Sequence, residues 1–386
     1  MDLHLLNLHL SQANKSLQRA KNNNYSDQDK LQYQSSLELL FTKVEEAVNQ
    51  QQQATPLFVL ECKSVIDFIF KSLEFLENST LNLIPYETVE CLKLALYDWI
   101  KPSETYIIAT SLINRVHGFS FDPALVGVDQ QYAYFKKNYG VEFKSRLVQI
   151  NIPRALARDY LASVAHYHEL GHFVDKKYTV TSSLADSLIK TWHSGGFQPH
   201  VSSELLQYFP FLNSGSLTDE NKKHILTLHL GEYFCDLFAS QYIGDALNKY
   251  LSYISNGRKK FSPTHPIYDL RAQLVNDFLS NKQNIIVTLV NNALNGIVKK
   301  GLEIRFESLN PSDIYNFLPP VISNERQLHG LLPLAWDVWQ GDWGPFMANM
   351  NMSSLPSKDR IYSVLNNLIE KAIGNYIVEN KWKEAH

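Results

Sequence analysis

The sequence has few cysteines, and they lie far apart. Cys62, Cys91 and Cys235 are the only three in 386 residues, and no C-x-x-C pair occurs. Without that spacing, a zinc site built from cysteines is not expected. An odd and scattered set also predicts a reducing compartment, so we expect a cytoplasmic protein.

Long apolar runs, a secretory leader and a strong net charge are missing as well. The longest apolar runs, such as Ile285 to Val290, are far too short to cross a bilayer. Met1 to His4 show no basic region with a cleavage site. The net charge is −3 and the pI is near 6.5, which gives no general electrostatic reason to bind nucleic acid or an anionic membrane. We therefore expect no membrane span and no nucleic-acid partner.

Glycine is scarce at 16 residues, whereas 45% of the chain is hydrophobic. A chain of this length can bury a substantial core in one large or two modest domains. We divide it into an N-terminal helical region (1–102), a central region (103–282) and a C-terminal helical region (283–386).

The first hundred residues predict a helical bundle. An a/d seam of alternating three- and four-residue steps runs through residues 1–23, and further helices are predicted at 27–53, from Thr55-Pro56 onward and at 87–100. Two interpretations of the first two helices stay open. They form a hairpin that packs on its own domain, or an arm that contacts a partner protein. The predicted seam consists of Leu3, Leu6, Leu10, Ala13, Leu17 and Ala20.

The apolar period changes from helix-like to strand-like after Pro102. Residues 105–112 are β-branched and apolar, and 131–135 with 141–152 predict a hairpin. A peptide can add itself as a strand to such a sheet, beside a metal on a neighbouring helix. The alternative is a sheet that only covers the core.

Residues 168–172 read H-E-L-G-H and match the pattern H-E-x-x-H. On a helix, His168 and His172 fall one turn apart on the same face and can bind one Zn²⁺. Glu169 can then act as a general base. Pro153 and the apolar spacing that follows it predict a helix over 154–177. A buried helix with ordinary core histidines is the alternative interpretation.

A catalytic zinc site needs a third protein ligand. A third histidine at position 178 would suit the compact pattern, but Tyr stands there. Glu232 and Asp236 lie one helical turn apart, and two acids on an apolar face need a cation to neutralise them. We therefore predict Glu232 as a ligand and Asp236 as the acceptor from a ligand imidazole. An ordinary pair of acids on a half-exposed helix is the alternative.

Two other ionisable residues lie near H-E-x-x-H. Asp175 is a weaker candidate for the role of either acid. We interpret His166, on nearly the opposite side of the helix, as a bystander or surface residue.

Three segments together resemble known peptidases. H-E-L-G-H and the E-Y-F-C-D of residues 232–236 resemble the gluzincin metallopeptidases, which carry H-E-x-x-H and a downstream E-x-x-x-D. Residues 262–271, S-P-T-H-P-I-Y-D-L-R, look like the T-H-P-(x)4-R segment of the HtpX-like and CAAX-type peptidases. The order and approximate spacing agree, and the resemblance covers about residues 150–275.

The resemblance implies one Zn²⁺ per chain, bound by His168, His172 and Glu232, with Glu169 as the catalytic base. It implies a zincin-like core, so we expect a mostly α fold (α+β) with a small β-sheet and helices on both sides of the core. The implied activity is hydrolysis of peptide bonds in a protein or peptide substrate.

The resemblance also places Asp236 behind the ligands, and His265 and Arg271 near the cleft. Before Pro266, His265 would lie at a helix N-terminus and could stabilise an oxyanion. We expect Arg271 to hold an acid, either Asp236 or Asp269. A helix-capping His with a surface Arg is the alternative.

The helical regions on either side leave two further functions open. The chain could be a non-catalytic binding or regulatory protein that retains a structural zinc site. It could also be a peptidase of narrow specificity whose flanking helices cover the cleft until a partner or signal opens it.

Overall fold

Sixteen α-helices and three short strands make up most of the described chain, which confirms the prediction of a mostly α fold with a small sheet. No described helix is both long enough and apolar enough to cross a bilayer. The computed structural model describes residues 3–385 apart from 26–27, 52–53, 81–84, 115–117, 126–128, 256–260, 299–300 and 351–352.

The chain forms two compact units. One contains residues 1–89 and 101–157, and the other contains residues 90–100 and 158–386. The sheet thus belongs with the N-terminal helices, and the C-terminal helices belong with the helix that carries H-E-x-x-H. These boundaries differ from those of the three regions we drew on the sequence.

Long amphipathic helices build the first unit. They are α1 (Leu3–Ala20), α2 (Gln28–Gln50) and α3 (Pro56–Glu77), and α4 (Tyr86–Tyr97) continues into the second unit. The seam predicted for α1 is confirmed from Leu6 to Ala20, because its members there are all buried; the side chain of Leu3 lies outside the described set. Thr55 caps α3 as expected, since its hydroxyl accepts a hydrogen bond from Phe58 N at 3.2 Å.

The sheet has three strands in the order β1-β3-β2. β1 (Tyr106–Ile113) pairs in parallel with β3 (Arg146–Pro153), and β2 (Ser120–Asp122) pairs antiparallel with β3. The strands predicted at 105–112 and within 141–152 are confirmed.

The predicted hairpin over 131–152 is wrong, because residues 131–135 lie in helix α5 (Asp129–Tyr139). Tyr132 and Phe135, three residues apart, are both buried and pack in an aromatic cluster with Phe68. That spacing suits one face of a helix and not one face of a strand. Aromatic residues favour strands in general, so packing decided the conformation here.

The elements that the structure describes in the second unit are helices, and α9 lies at their centre. Every residue from His229 to Ile243 is buried, and α9 contacts α6, α7, α11 and α14. The helices after α5 are α6 (Val164–Tyr178), α7 (Val180–His193), α8 (Pro199–Tyr208), α9 (Asp219–Ile243), α10 (Ala246–Ser255), α11 (Tyr268–Leu279), α12 (Ile285–Leu294), α13 (Ser312–Tyr315), α14 (Glu325–Gln340), α15 (Gly344–Met350) and α16 (Lys358–Ala385).

The helix that carries H-E-x-x-H begins later than predicted. α6 starts at Val164 and not near residue 154, because Pro153 ends β3 and a 3-10 turn and loop follow. The C-terminal helices hold the end of this loop. Trp336 Nε1 donates to Leu161 O at 3.0 Å, and the Tyr160 amide donates to Asn366 Oδ1 at 2.6 Å. The region after residue 283 is therefore part of the scaffold of α6.

A buried histidine joins α6 to α14. His329 Nδ1 lies 3.1 Å from the Tyr167 hydroxyl, and its ring lies 4.9 Å from the ring of Tyr242. Burial lowers the pKa of His329 to about 4. In the unfolded chain this imidazole takes up a proton near pH 6.5. The folded state therefore loses stability as the pH falls from about 6.5 towards 4.

We expect the His329→Gln variant to lose less stability in acid than the wild type. Urea unfolding in the presence of a chelator would be compared at pH 7 and pH 5. Between pH 7 and pH 5, the free energy of unfolding should fall by about 2 kcal/mol more in the wild type than in the variant. The reason is that the wild type takes up a proton on His329 when it unfolds, and the variant does not. Equal losses in the two proteins would contradict a neutral, buried His329.

Candidate metal centre

Two helices present the predicted donor groups to each other. α6 carries His168 and His172 one turn apart, with ring centroids 4.9 Å apart and nearly perpendicular planes. α9 carries Glu232 on its buried face. Glu232 Oε2 lies 3.4 Å from His168 Nε2, and Oε1 lies 3.6 Å from His172 Nε2. The tertiary structure thus brings both imidazoles to one carboxylate.

Asp236 lies behind the first imidazole. Its Oδ1 is 3.0 Å from His168 Nδ1, which leaves Nε2 of that ring to face Glu232. A carboxylate on Nδ1 is the usual partner of a metal-bound histidine, because it orients the ring and makes it more basic. Asp236 is fully buried.

Arg271, on α11, completes the buried set of charges. Its Nε and Nη2 donate to the two oxygens of Asp236 at 2.7 Å each, and Nη1 lies 3.1 Å from Glu232 Oε2. This bidentate geometry is strong and orients both partners. Of the two acids proposed for Arg271, the structure places it on Asp236 and adds a contact with Glu232.

The charges of these groups depend on one another. Burial alone would raise the pKa of Glu232, but Arg271 and the imidazoles outweigh it and hold that pKa below its usual range. Burial would lower the pKa of His168, yet the bonds to Asp236 and Glu232 raise it to about 10. Burial, together with the charge on His168, lowers the pKa of His172 to about 4. Two buried carboxylates therefore require two cationic partners.

A cysteine lies close to the same two histidines. Ligand atoms of His168, His172 and Cys235 all lie within 4.8 Å of one another, so these three residues could hold a metal ion. Cys235 is fully buried, and burial with the nearby carboxylates raises the pKa of its thiol well above the usual value. The site therefore offers two different third donors, an ionised carboxylate and a protonated thiol.

The distances around Glu232 suit a zinc ion. Two nitrogen or oxygen ligands of one tetrahedral Zn²⁺, each bound at about 2.0–2.1 Å, are about 3.3–3.4 Å apart. The observed separations, 3.4 Å from His168 Nε2 to Oε2 and 3.6 Å from His172 Nε2 to Oε1, are each close to this value and end on different oxygens of the carboxylate. Two imidazoles and a carboxylate are also the donor set of several catalytic zinc sites. The residues present therefore fit the metal that the sequence motif implies.

His265 and Glu169 both lie next to these donors. His265 Nε2 is 3.8 Å from Glu232 Oε1, and its side chain is 60% exposed. It precedes α11 by three residues and is not the residue that caps that helix, which is Ile267. Glu169 is half-buried beside His168, close enough to Cys235 to raise the pKa of its thiol.

Two residues near the motif occupy other positions. Asp175 accepts hydrogen bonds from the backbone and hydroxyl of Thr181 at 2.8 and 2.6 Å, so its carboxylate holds the start of α7. His166 is buried at 1% exposure, so the interpretation as a surface residue is wrong. Burial lowers the pKa of His166 to about 3, which keeps this imidazole neutral.

Two residues that shape the site were not predicted from the sequence. A Cβ on Gly171 would lie only 2.9 Å from the Cα of Cys235, so the backbones of α6 and α9 touch there. His229 is buried on α9 one turn before Glu232 and contacts the segment that carries His265. The glycine inside H-E-x-x-H could have indicated a close helix contact. The three-residue spacing from His229 to Glu232 could have indicated that both residues lie on one face of α9.

Comparison of the chain with protein-family models, curated proteins and solved structures finds no match. The resemblance to gluzincin peptidases therefore stays a prediction that rests on the motifs.

We expect Gly171→Ala to destabilise the protein and to weaken metal binding. The added methyl meets backbone, so α6 and α9 must separate, and overpacking of this kind costs about 1–3 kcal/mol. Chemical unfolding and titration with Zn²⁺ would measure both effects.

Gly231→Ala is the matched control for this variant. Gly231 is also a helical glycine of the same unit, but a Cβ there would have Asp175 Oδ2 at 3.8 Å as its nearest neighbour. It should stabilise the protein by about 0.4–1 kcal/mol, because alanine restricts the unfolded chain. Similar behaviour of the two variants would refute the close helix crossing.

Proposed function

We propose that this chain is a zinc-dependent metallopeptidase of the gluzincin type, in which His168, His172 and Glu232 hold one Zn²⁺. The observation that carries the proposal is the pair of Nε2 atoms facing one carboxylate, while Asp236 occupies the other nitrogen of His168. When bound there, Zn²⁺ would polarise a carbonyl and lower the pKa of a water molecule.

Glu232 is a better third ligand than Cys235. Neighbouring cations keep the carboxylate ionised, so it can bind a metal without first losing a proton. The thiol must ionise before it binds, and its surroundings oppose this. The carboxylate also faces Nε2 of His172 and Nε2 of His168, which is the nitrogen of that ring that Asp236 leaves available for a metal.

Glu169 supplies the proton transfers of peptide hydrolysis. Its carboxylate takes a proton from water as the water oxygen attacks the carbonyl carbon of the substrate. It then returns the proton to the amine nitrogen as the C–N bond breaks. The products are a carboxylic acid and an amine, which become a carboxylate and an ammonium when the acid proton moves to the amine, and Glu169 regains its initial charge.

His265 supports the oxyanion that forms on the carbonyl oxygen during this attack. Its exposed imidazole lies beside Glu232 Oε1 on the accessible side of the site. A hydrogen-bond donor directed at a developing negative charge stabilises the transition state more than the substrate. His265 should therefore affect kcat more than KM.

One observation supports a second candidate, a non-catalytic protein with a structural zinc site. The imidazoles of His168, His172 and His265 all have Nε2 within 3.8 Å of the Glu232 carboxylate. Four protein ligands would close the site, as in structural zinc centres.

The Co²⁺-loaded protein separates the candidates, because a hydroxamate changes its absorption only at an open site.

We expect Glu232→Gln to weaken Zn²⁺ binding and Cys235→Ser to leave it nearly unchanged. Removal of a residue that hydrogen-bonds to a metal ligand typically lowers the metal affinity about 10–100-fold. Removal of a direct ligand should lower the Zn²⁺ affinity by more than this. Competition with a chromophoric chelator would measure both affinities. His224→Ala, an exposed histidine on α9, serves as the control. Retained affinity in Glu232→Gln with loss in Cys235→Ser would make the cysteine the third ligand.

We expect Glu169→Gln to bind Zn²⁺ normally and to cleave peptides about 10²–10⁴-fold more slowly, because a general base contributes about that factor. Elemental analysis would give the zinc content, and mass spectrometry of a random peptide library would give the cleavage rates. Glu220→Gln, at an exposed position in the first turn of α9, is the matched control. Cleavage that does not depend on Glu169 would refute the peptidase assignment.

A further inference from the structure

Successive turns of α9 hold successive parts of the chain between residues 262 and 271. The three contacts run in the same order along both segments. They are His229 with Ser262, Glu232 with His265, and Asp236 with Arg271. The second and third contacts lie in the proposed metal site, and the first lies one turn away from it.

His229 makes the first of these contacts from inside the protein. Its side chain is buried, and its Nε2 donates to the carbonyl oxygen of Ser262 at 2.8 Å. The ring lies 5.4 Å from the ring of Phe211 and 5.8 Å from that of Phe261, measured between centroids. These neighbours fix the direction in which Nε2 points.

The hydrogen bond to Ser262 explains why a polar ring, His229, occupies this buried position. Because Nε2 donates, Nδ1 carries no proton, and this buried atom has no hydrogen-bond partner in the described part of the chain. Burial lowers the pKa of His229, so the ring is neutral. Burying an imidazole costs free energy that a phenylalanine would not cost. A single hydrogen bond to the neighbouring segment offsets that cost.

A chain of hydrogen bonds continues from Ser262 to His265. The Ser262 hydroxyl lies 3.1 Å from Thr264 Oγ1, which lies 2.8 Å from His265 Nδ1. When each hydroxyl donates to the next atom, Nδ1 of His265 accepts and its Nε2 carries the proton. That tautomer directs an N–H group towards the Glu232 side of the site, where a developing oxyanion would need it.

The position of His265 depends on the segment that carries it. The side chain of His265 is 60% exposed, so neighbouring residues restrain its imidazole little. Pro263 and Pro266 limit the backbone torsions on either side. The bond from His229 ties the beginning of this short segment to α9, and Arg271 ties the helix that follows it.

We propose that His229 is a positioning residue, which holds the Ser262–Pro266 segment on α9 so that His265 stands beside Glu232. The inference rests on the proposed peptidase function for its catalytic consequence. In the described part of the chain, the hydrogen bond of His229 goes to Ser262 and not to a proposed metal ligand. Its main effect on the reaction therefore passes through His265.

The test combines two single variants and their double variant. His265→Ala should lower kcat about 100-fold with little change in KM, because removal of one oxyanion donor costs about 10²–10³ in kcat. His229→Phe keeps an aromatic ring but loses the donor, and it should lower kcat about tenfold or more. The double variant should be no slower than His265→Ala within about twofold, since residues that act as a unit are not additive.

Two further variants separate positioning from a general loss of stability. Glutamine has an amide N–H that can reach a carbonyl, so His229→Gln should recover most of the lost kcat. His224→Phe makes the same replacement at an exposed position of α9 and should behave like the wild type. A purely structural defect would not be repaired selectively by a donor.

A measurement without turnover keeps the proposal testable if the chain is not a peptidase. Hydrogen–deuterium exchange on the metal-free protein should be faster at residues 262–267 in His229→Phe, with exchange in α9 unchanged. Unchanged exchange at 262–267, or a double variant whose losses multiply, would overturn the positioning role. A wild type that binds Zn²⁺ but cleaves nothing would refute the peptidase function alone, and the exchange data would then decide the role of His229.

Discussion

Burial of two carboxylates on one helix is the constraint on which the second unit depends. Glu232 and Asp236 lie inside the protein, where an uncompensated negative charge would cost several kcal/mol. Arg271 contacts both acids, and His168 lies between them. Because each cation contacts both carboxylates, α6, α9 and α11 must pack together in one arrangement.

Without a metal, this arrangement is close to electroneutral, and a proton on His168 provides the second positive charge. A Zn²⁺ ion would take the place of that proton and would also face His172, whose burial keeps it neutral and able to bind. The same geometry thus suits a compensated ion cluster and a metal centre.

The fold follows the sequence closely where side-chain spacing is unambiguous. The apolar seam of α1, the cap of α3 and the positions of β1 and β3 were all predictable, because each depends on neighbours along the chain. The strand predicted at residues 131–135 was wrong, because aromatic side chains that pack on one face stabilise a helix there. Local signals also misplaced the start of α6, since a proline that suits a first helical turn equally suits the end of a strand.

By itself, the sequence determined the donor types and their local spacing: two histidines one turn apart, a glutamate between them, and two distant acids one turn apart. These follow from the helical period, which any helix would reproduce. Only the tertiary structure decided that Arg271 would hold Asp236, that His265 would stand beside Glu232, and that Cys235 would lie near the two histidines. Such contacts depend on how closely α6 and α9 cross at Gly171, and that distance is set by packing against Cys235, 64 residues further along the chain.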